Sequence, residues 1–227
     1  MSDNALFWRD AYKVDDKDIA RTRRKGRLYG RGAKRLLDVI LVLICSVPVL
    51  ITVLMLAACV ARDGGRPFYQ QFRVGRDGRV FRMWKLRTMV LDADTTLEDY
   101  LQKTPGARVE WDSAQKLRDD PRVTRCGAWL RRTSLDELPQ LWNVLTGEMS
   151  LVGPRPMLIE QRALYPGEDY YDLRPGITGL WQVSSRNLST FAERAEYDSR
   201  YAAQLSLGMD IGILARTVAV VFRGTGY

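Results

Sequence analysis

The sequence predicts an α+β fold, mostly helical, in which a re-entrant N-terminal membrane helix hairpin is followed by a membrane-docked cytoplasmic domain with a small β-sheet. Three observations carry this reading. They are an uncharged apolar run of 23 residues (39–61), basic sequence on both sides of it, and beyond it several helix-length apolar patterns with one clear hairpin signal. The chain then divides into a basic N-terminal arm (1–33), the re-entrant membrane helix (34–62) and a cytoplasmic domain that carries the candidate chemistry (63–227).

The arm mixes charges with few spaced apolar positions and reads as a flexible or surface-lying segment. Residues 21–35 include eight basic side chains and no acidic one. The apolar run that follows is about 34 Å long as a helix, enough to span a bilayer, and without a charge it has no face for water. Pro48 near its middle removes a backbone hydrogen bond and predicts a kink or break. In residues 62–87, eight Lys or Arg stand against only Asp63 and Asp77. Basic flanks prefer the cytoplasmic side, so a helix that enters, bends at Pro48 and returns satisfies both ends, whereas a straight span satisfies one. Leu56-Ala57-Ala58-Cys59 looks like a lipoprotein cleavage box. The apolar stretch and the basic region before it are too long for a signal sequence, and no cleavage is expected.

In the domain, strands over Phe68–Val74 and residues 79–89 flank Gly75-Arg76-Asp77-Gly78, whose Asp-Gly pair suits a turn with positive φ. Residues 90–101 form an acidic helix, and Thr104-Pro105-Gly106 and Asp119-Asp120-Pro121 frame another over 107–117. Helices are expected near Trp129 and over 135–145. A turn at 174–179 leads into a short strand over 180–183, and helices return over 190–204 and 207–222. Asp210 and Arg216 interrupt the last apolar stretch, which predicts a helix at the membrane interface or in the core rather than a second span.

Composition narrows the chemistry. With 35 Lys and Arg against 27 Asp and Glu, the net charge is +8 and anionic neighbours are expected: nucleic acid, lipid headgroups or phosphorylated substrates. The absence of histidine excludes Ser-His-Asp and Cys-His nucleophile pairs and histidine metal sites. Three cysteines, two of them in the apolar run, argue against a disulfide framework or a cysteine zinc site.

The densest cluster is Arg131-Arg132-Thr133-Ser134-Leu135-Asp136-Glu137-Leu138-Pro139, continuing to Gly153-Pro154-Arg155-Pro156. Ser134 and Glu137 have the spacing of a capping box. Leu138, Leu141, Trp142 and Leu145 make one apolar face that Gly147 ends, so Asp136 and Glu137 also read as ordinary first-turn acids. The surrounding charge argues for more: Arg131 and Arg132 precede the pair, and prolines restrain Arg155 on both sides. Adjacent carboxylates in an anion-binding site suit metal-assisted phosphoryl transfer. One would hold Mg²⁺ on a diphosphate and the other attack phosphorus, with no histidine required.

At these residues the chain resembles the bacterial monotopic phosphoglycosyl transferases, which begin exopolysaccharide and other glycan repeats on polyprenyl phosphate. The resemblance covers residues 34–227. It rests on Lys34-Arg35 and Asp38, Trp84-Lys85-Leu86-Arg87-Thr88-Met89, Asp120-Pro121-Arg122-Val123-Thr124, Ser134-Leu135-Asp136-Glu137-Leu138-Pro139-Gln140-Leu141, residues 149–156, and Arg174-Pro175-Gly176-Ile177-Thr178-Gly179. Their order and spacing together are specific. Two departures stand out: Val47 separates Ser46 from Pro48 at the bend, and Ser185 stands where the family commonly has glycine. Residues 103–117, with Trp111, and the ending 223–227 look most like the members that transfer galactose- or glucose-phosphate to undecaprenyl phosphate. The length leaves no room for the multi-span N-terminal region of larger members.

The resemblance implies a re-entrant helix at the inner-membrane cytoplasmic face. It implies that Asp136 attacks the β-phosphate of a UDP-sugar and that undecaprenyl phosphate then takes the phosphosugar from Asp136. It makes Asp136 and Glu137 catalytic, with Glu137 the ligand of a Mg²⁺ cofactor. Arg155 would clamp phosphate, Lys85, Arg87 and Arg131 would line the anionic site, Arg186 would approach the nucleotide or sugar, and Asp198 would support the basic cluster. Trp181 and Gln182 are candidates to face the substrate, Trp181 equally a core residue. Inner-membrane lipids are expected partners, homo-oligomerisation stays open, and nucleic acid is not expected, for want of a recognition helix or aromatic RNA motif. The competing class is a non-catalytic membrane-anchored scaffold or anionic-ligand-binding protein of polysaccharide assembly.

Overall fold

The uncharged run becomes a single helix, Lys34–Val60 (α1), in the computed structural model, which describes residues 29–114, 117, 119–184 and 191–222. Most of the basic arm lies outside the described residues. By length and composition α1 is long and apolar enough to cross a membrane. It continues through Pro48, so the break expected there is absent. Around it Ser46 Oγ donates to the Leu43 carbonyl at 2.7 Å and Thr52 Oγ1 to that of Pro48 at 2.8 Å.

Both ends of α1 are fastened to the same domain. Near its start Lys34 pairs with Asp210 at 2.6 Å, Arg35 donates to the Val144 and Leu145 carbonyls, and buried Asp38 accepts from Ser150 Oγ at 2.7 Å and Leu151 N at 3.1 Å. Val42 then joins Phe81, Met83, Val144 and Met149 in one core cluster. At the far end Ala57 and Val60 pack with Leu86 and Leu130, and Arg87 Nη2 donates to the Val60 carbonyl at 3.1 Å. Between these anchors Ile44, Val47, Leu50, Ile51 and Met55 are exposed.

The hairpin forms as its turn chemistry demands. Strand Phe68–Val74 (β1) pairs antiparallel with Val80–Leu86 (β2), from Phe68 opposite Leu86 to Val74 opposite Val80. Asp77 and Gly78 take φ of 56° and 71°, the positive values expected of that pair. The second strand stops at Leu86 rather than 89. Helices Ala93–Lys103 (α2) and Pro105–Ala114 (α3) follow, then Arg125–Thr133 (α4), whose first turn is capped by Thr124 Oγ1 accepting from Gly127 N at 2.9 Å.

The stretch expected as one helix over 135–145 is a 3₁₀ turn, Leu135–Glu137, leading into a helix, Gln140–Thr146 (α5), which ends at Gly147 in the left-handed region as expected. Buried Asn143 ties α5 to β2: its Nδ2 donates to the Arg82 carbonyl at 2.7 Å and its Oδ1 accepts from Trp84 N at 3.0 Å. Two three-residue strands, Ser150–Val152 (β3) and Gly176–Thr178 (β4), run parallel, with a short helix, Asp169–Asp172 (α6), between them in sequence. The strand expected over 180–183 is instead a helix, Leu180–Ser184 (α7). β3 is already paired along its length with β4, and Leu180 and Val183, three apart, face one cluster around Tyr201, Leu205 and Ile213.

Helices Arg194–Gln204 (α8) and Leu207–Phe222 (α9) close the fold. On α9 the charged Asp210 turns inward to Lys34, Tyr29 and Tyr201, whereas Leu207, Ile211 and Val218 are exposed.

Candidate active site

The Asp136–Glu137 pair is presented by the junction of α4 with the 3₁₀ turn, against the end of β2. Gly127 permits the approach: a Cβ there would fall 2.0 Å from the Thr88 carbonyl oxygen, so only glycine lets α4 lie this close to the hairpin. Arg131, in the last turn of α4, can then donate from Nε to Thr88 Oγ1 at 2.9 Å. Ser134 ends α4 with φ 56° and its side chain caps nothing, so the expected capping box is not formed. Glu137 turns instead to Lys85, whose ammonium is a stronger partner than a backbone N–H. Lys85 Nζ lies 2.8 Å from Glu137 Oε1 and 3.7 Å from Asp136 Oδ2.

Asp136 is buried, and that burial pushes its carboxyl above the ordinary aspartate value. Lys85 opposes the shift, the neighbouring Glu137 charge adds to it, and Arg131 opposes it again. The carboxylate is thus held in low-dielectric surroundings with a cation on either side.

A cleft of about 560 Å³ opens from this pair and is lined by Lys85, Arg87, Arg122, Arg131, Asp136, Glu137 and Arg155. The structure therefore brings together six of the eight residues expected in the site. Arg87 borders the cleft but commits hydrogen bonds to the carbonyls of Val60, Arg66 and Met89, tying the end of α1 to the hairpin. Asp198 stands apart from the cleft wall and accepts from the Tyr165 hydroxyl at 2.7 Å. Arg186 lies outside the described residues. Gln182 is buried beside Glu137 and Arg155 in a neighbouring pocket of about 250 Å³, and Trp181 stacks against Arg194, with the ring centroid 5.2 Å from its guanidinium carbon.

Three arginines were missed by sequence reasoning. Arg122 makes a two-pronged pair with Asp120, at 2.6 and 2.8 Å, and stacks on Trp111. Arg73 on β1 and Arg194 at the start of α8 close around Arg155. Arg194 stands four residues before Asp198, the spacing at which helix side chains meet, and that was the available signal. Arg73 had no comparable one.

Asp136 and Glu137 are adjacent carboxylates able to hold a cation in the cleft, which Asp94 also lines. Among the described residues no three metal-ligating side chains converge. That donor set fits Mg²⁺, which commonly takes one or two carboxylates and completes its shell with water and substrate phosphate oxygens.

A carboxylate pair in a cleft walled by arginine and lysine has the charge pattern that suits a phosphorylated ligand. The chain belongs to the bacterial sugar transferase family, whose profile matches residues 29–224. A UDP-galactose-lipid carrier transferase of Erwinia amylovora is 48% identical over 198 residues, 86% of this chain and 42% of its own length. An undecaprenyl-phosphate galactose phosphotransferase of Salmonella typhimurium is 45% identical over 202 residues, again 86% of this chain and 42% of its own. The exopolysaccharide production protein ExoY of Sinorhizobium fredii is 42% identical over 205 residues, 88% of this chain and 90% of its own. The chain therefore spans about two fifths of the length of the first two relatives and nearly all of the third.

Proposed function

We propose that this protein transfers galactose-1-phosphate or glucose-1-phosphate from a UDP-sugar to undecaprenyl phosphate, at the cytoplasmic face of the bacterial inner membrane, to start an exopolysaccharide repeat unit. The observation that carries the reading is the buried Asp136 carboxylate, paired with Glu137 and Lys85 at the wall of an arginine-lined cleft. The names of the relatives supply the donor and acceptor chemistry.

In the first half-reaction an Asp136 oxygen attacks the β-phosphorus of the UDP-sugar. A P–O bond forms, the bond from that phosphorus to the bridging oxygen breaks, and UMP leaves with the electron pair. The product is a phosphosugar held on Asp136 as an acyl-phosphate. In the second, a phosphate oxygen of undecaprenyl phosphate attacks the same phosphorus and Asp136 departs as carboxylate, giving undecaprenyl-diphosphate-sugar. Lys85, Arg131 and Arg155 balance the charge of the diphosphate and of the transition state. Mg²⁺ on Glu137 would neutralise the diphosphate and ease departure of UMP.

The membrane side of the proposal is supported by α1, whose two ends are fastened to one domain while its apolar middle is exposed. A helix held at both ends in this way can place its middle in lipid while both ends stay on one side. The decisive test of the chemistry uses purified protein with UDP-galactose or UDP-glucose and Mg²⁺ but no lipid acceptor. Wild type should release one UMP per active site, and Asp136→Asn none. Undiminished release by the variant sinks the covalent mechanism.

A further inference from the structure

Arg73, Arg155 and Arg194 converge from β1, from the loop after β3 and from the start of α8. Arg194 is only 5% exposed, stacks on Trp181 and Phe191, and donates from Nη2 to the Arg155 carbonyl. Arg73 gives Nη2 to Gln71 Oε1 at 2.6 Å and Nη1 to the Pro156 carbonyl at 3.4 Å. The Nε atoms of Arg73 and Arg194 are both buried and have no hydrogen-bond partner. Among the described residues, none of the three guanidinium groups has a carboxylate within 4 Å. The carboxylate of this neighbourhood, Asp198, is engaged by Tyr165.

Such an arrangement is costly as it stands. A buried N–H without an acceptor loses its full hydration, and the three cations repel one another against the opposing charges of Asp198 and Glu137. Burial, and then the charge of Arg155, pull the Arg73 guanidinium down to about 10. An anion with several oxygens placed among the three groups would remove both costs. Of the three, Arg155 lines the charged cleft beside Glu137.

We propose that Arg73, Arg155 and Arg194 form a phosphate subsite beside Glu137, separate from the Lys85 and Arg131 contacts at Asp136. The Nε atoms of Arg73 and Arg194 are donors awaiting phosphate oxygens, and the Arg155 side chain joins the subsite to the cleft. The tetrahedral oxygens of a phosphate ester can accept from all three forks at once. Which ester arrives, the donor's diphosphate or the lipid acceptor's phosphate, rests on the phosphoryl-transfer reading above; that the subsite takes phosphate does not.

The test begins without turnover. Inorganic phosphate is titrated into the full chain in detergent micelles, and its dissociation constant is read from the rise in thermal unfolding midpoint. Arg73→Gln and Arg194→Gln should each weaken phosphate binding by about tenfold or more, the loss typical of a charge-assisted hydrogen bond. Arg200→Gln, on the exposed side of α8, should bind phosphate like wild type. If Arg194→Gln fails to fold, Arg73→Gln carries the comparison, with Arg73→Lys expected to recover part of the affinity. Wild-type phosphate affinity in Arg73→Gln overturns the subsite.

Turnover then identifies the source. A raised KM for UDP-sugar in acceptor-free UMP release assigns the subsite to the donor. Unchanged release with a raised KM for undecaprenyl phosphate assigns it to the acceptor. No change in either KM overturns the subsite while leaving the enzyme reading intact. Arginine-dependent phosphate binding in a protein that releases UMP from no UDP-sugar upholds the subsite and removes that reading.

Discussion

In the proposed mechanism Asp136 attacks only as a carboxylate, and its burial raises its pKa above the ordinary value of 3.8. Acceptor-free UMP release should therefore fall on acidification with a midpoint above 3.8, measured as the single-turnover rate against pH. Asp198 gives a separate, stability-based signature. Its burial raises the carboxyl from 3.8 to about 6, against the opposing effects of the Tyr165 hydroxyl and Arg194. Between those values the folded chain binds a proton that the unfolded chain does not. The stability contribution is complete below 3.8 and is lost as pH rises through about 6, roughly 3 kcal/mol for a shift of this size. Asp198→Asn should remove that part of the slope, seen as a difference in unfolding midpoint between wild type and variant from pH 4 to 7; parallel profiles would rule it out. The Asp136–Glu137 pair was legible in the sequence because neighbouring acids and arginines are local there. Arg73 was not, because its meaning comes from Arg155 and Arg194, which are distant in the chain and meet it only after folding.

Among elements, the β1–β2 hairpin was the most legible, since an Asp-Gly pair fixes both the turn and the register that places Lys85 at the end of β2. The junction after α4 was not. Ser134 and Glu137 have capping-box spacing, yet Ser134 is occupied in ending α4 with left-handed backbone and Glu137 is drawn to Lys85, a residue that sequence spacing cannot place. α7 failed for a similar reason: a short apolar stretch suits strand or helix, and the packing of Leu180 and Val183, three apart, against the cluster around Tyr201 and Ile213 favours the helix. The element on which the site depends most is α5, through Asn143. Asn143→Ala leaves the Trp84 N–H and the Arg82 carbonyl without partners beside Lys85. It should destabilise the protein by about 1–3 kcal/mol, because two partly buried backbone groups lose their bonds to a buried side chain. Denaturant unfolding measures this, and acceptor-free UMP release should fall with it as Lys85 loses its register against Glu137.

At the scale of the whole molecule the question is how a helix of about 40 Å meets a bilayer whose hydrocarbon core is about 30 Å thick. A straight crossing would carry one end of α1 to the opposite side. The first turns are held by Ser150, Val144 and Asp210, however, and the last by Leu86, Leu130 and the Arg87 guanidinium, all on one domain. Breaking the first set would strand Asp38 without its bonds, and breaking the second would cost Arg87 its bond to Val60. Holding both sets leaves only the middle, from Leu43 to Met55, to enter lipid. Exposed Trp142 and Phe68 border the same face, where with Leu50 and Val53 they line an apolar groove of about 520 Å³. The basic flanks agree with this arrangement, since both can stay beside anionic headgroups on one side of the membrane, the cytoplasmic one in the proposed function. Gly32→Cys and Arg62→Cys, one on each flank and both at exposed positions, test it in a chain with its own cysteines replaced. A membrane-impermeant maleimide should label neither in intact spheroplasts and both in inverted membrane vesicles. Labelling of one flank from each side would establish a straight span and would require the domain contacts at one end of α1 to be broken in the membrane.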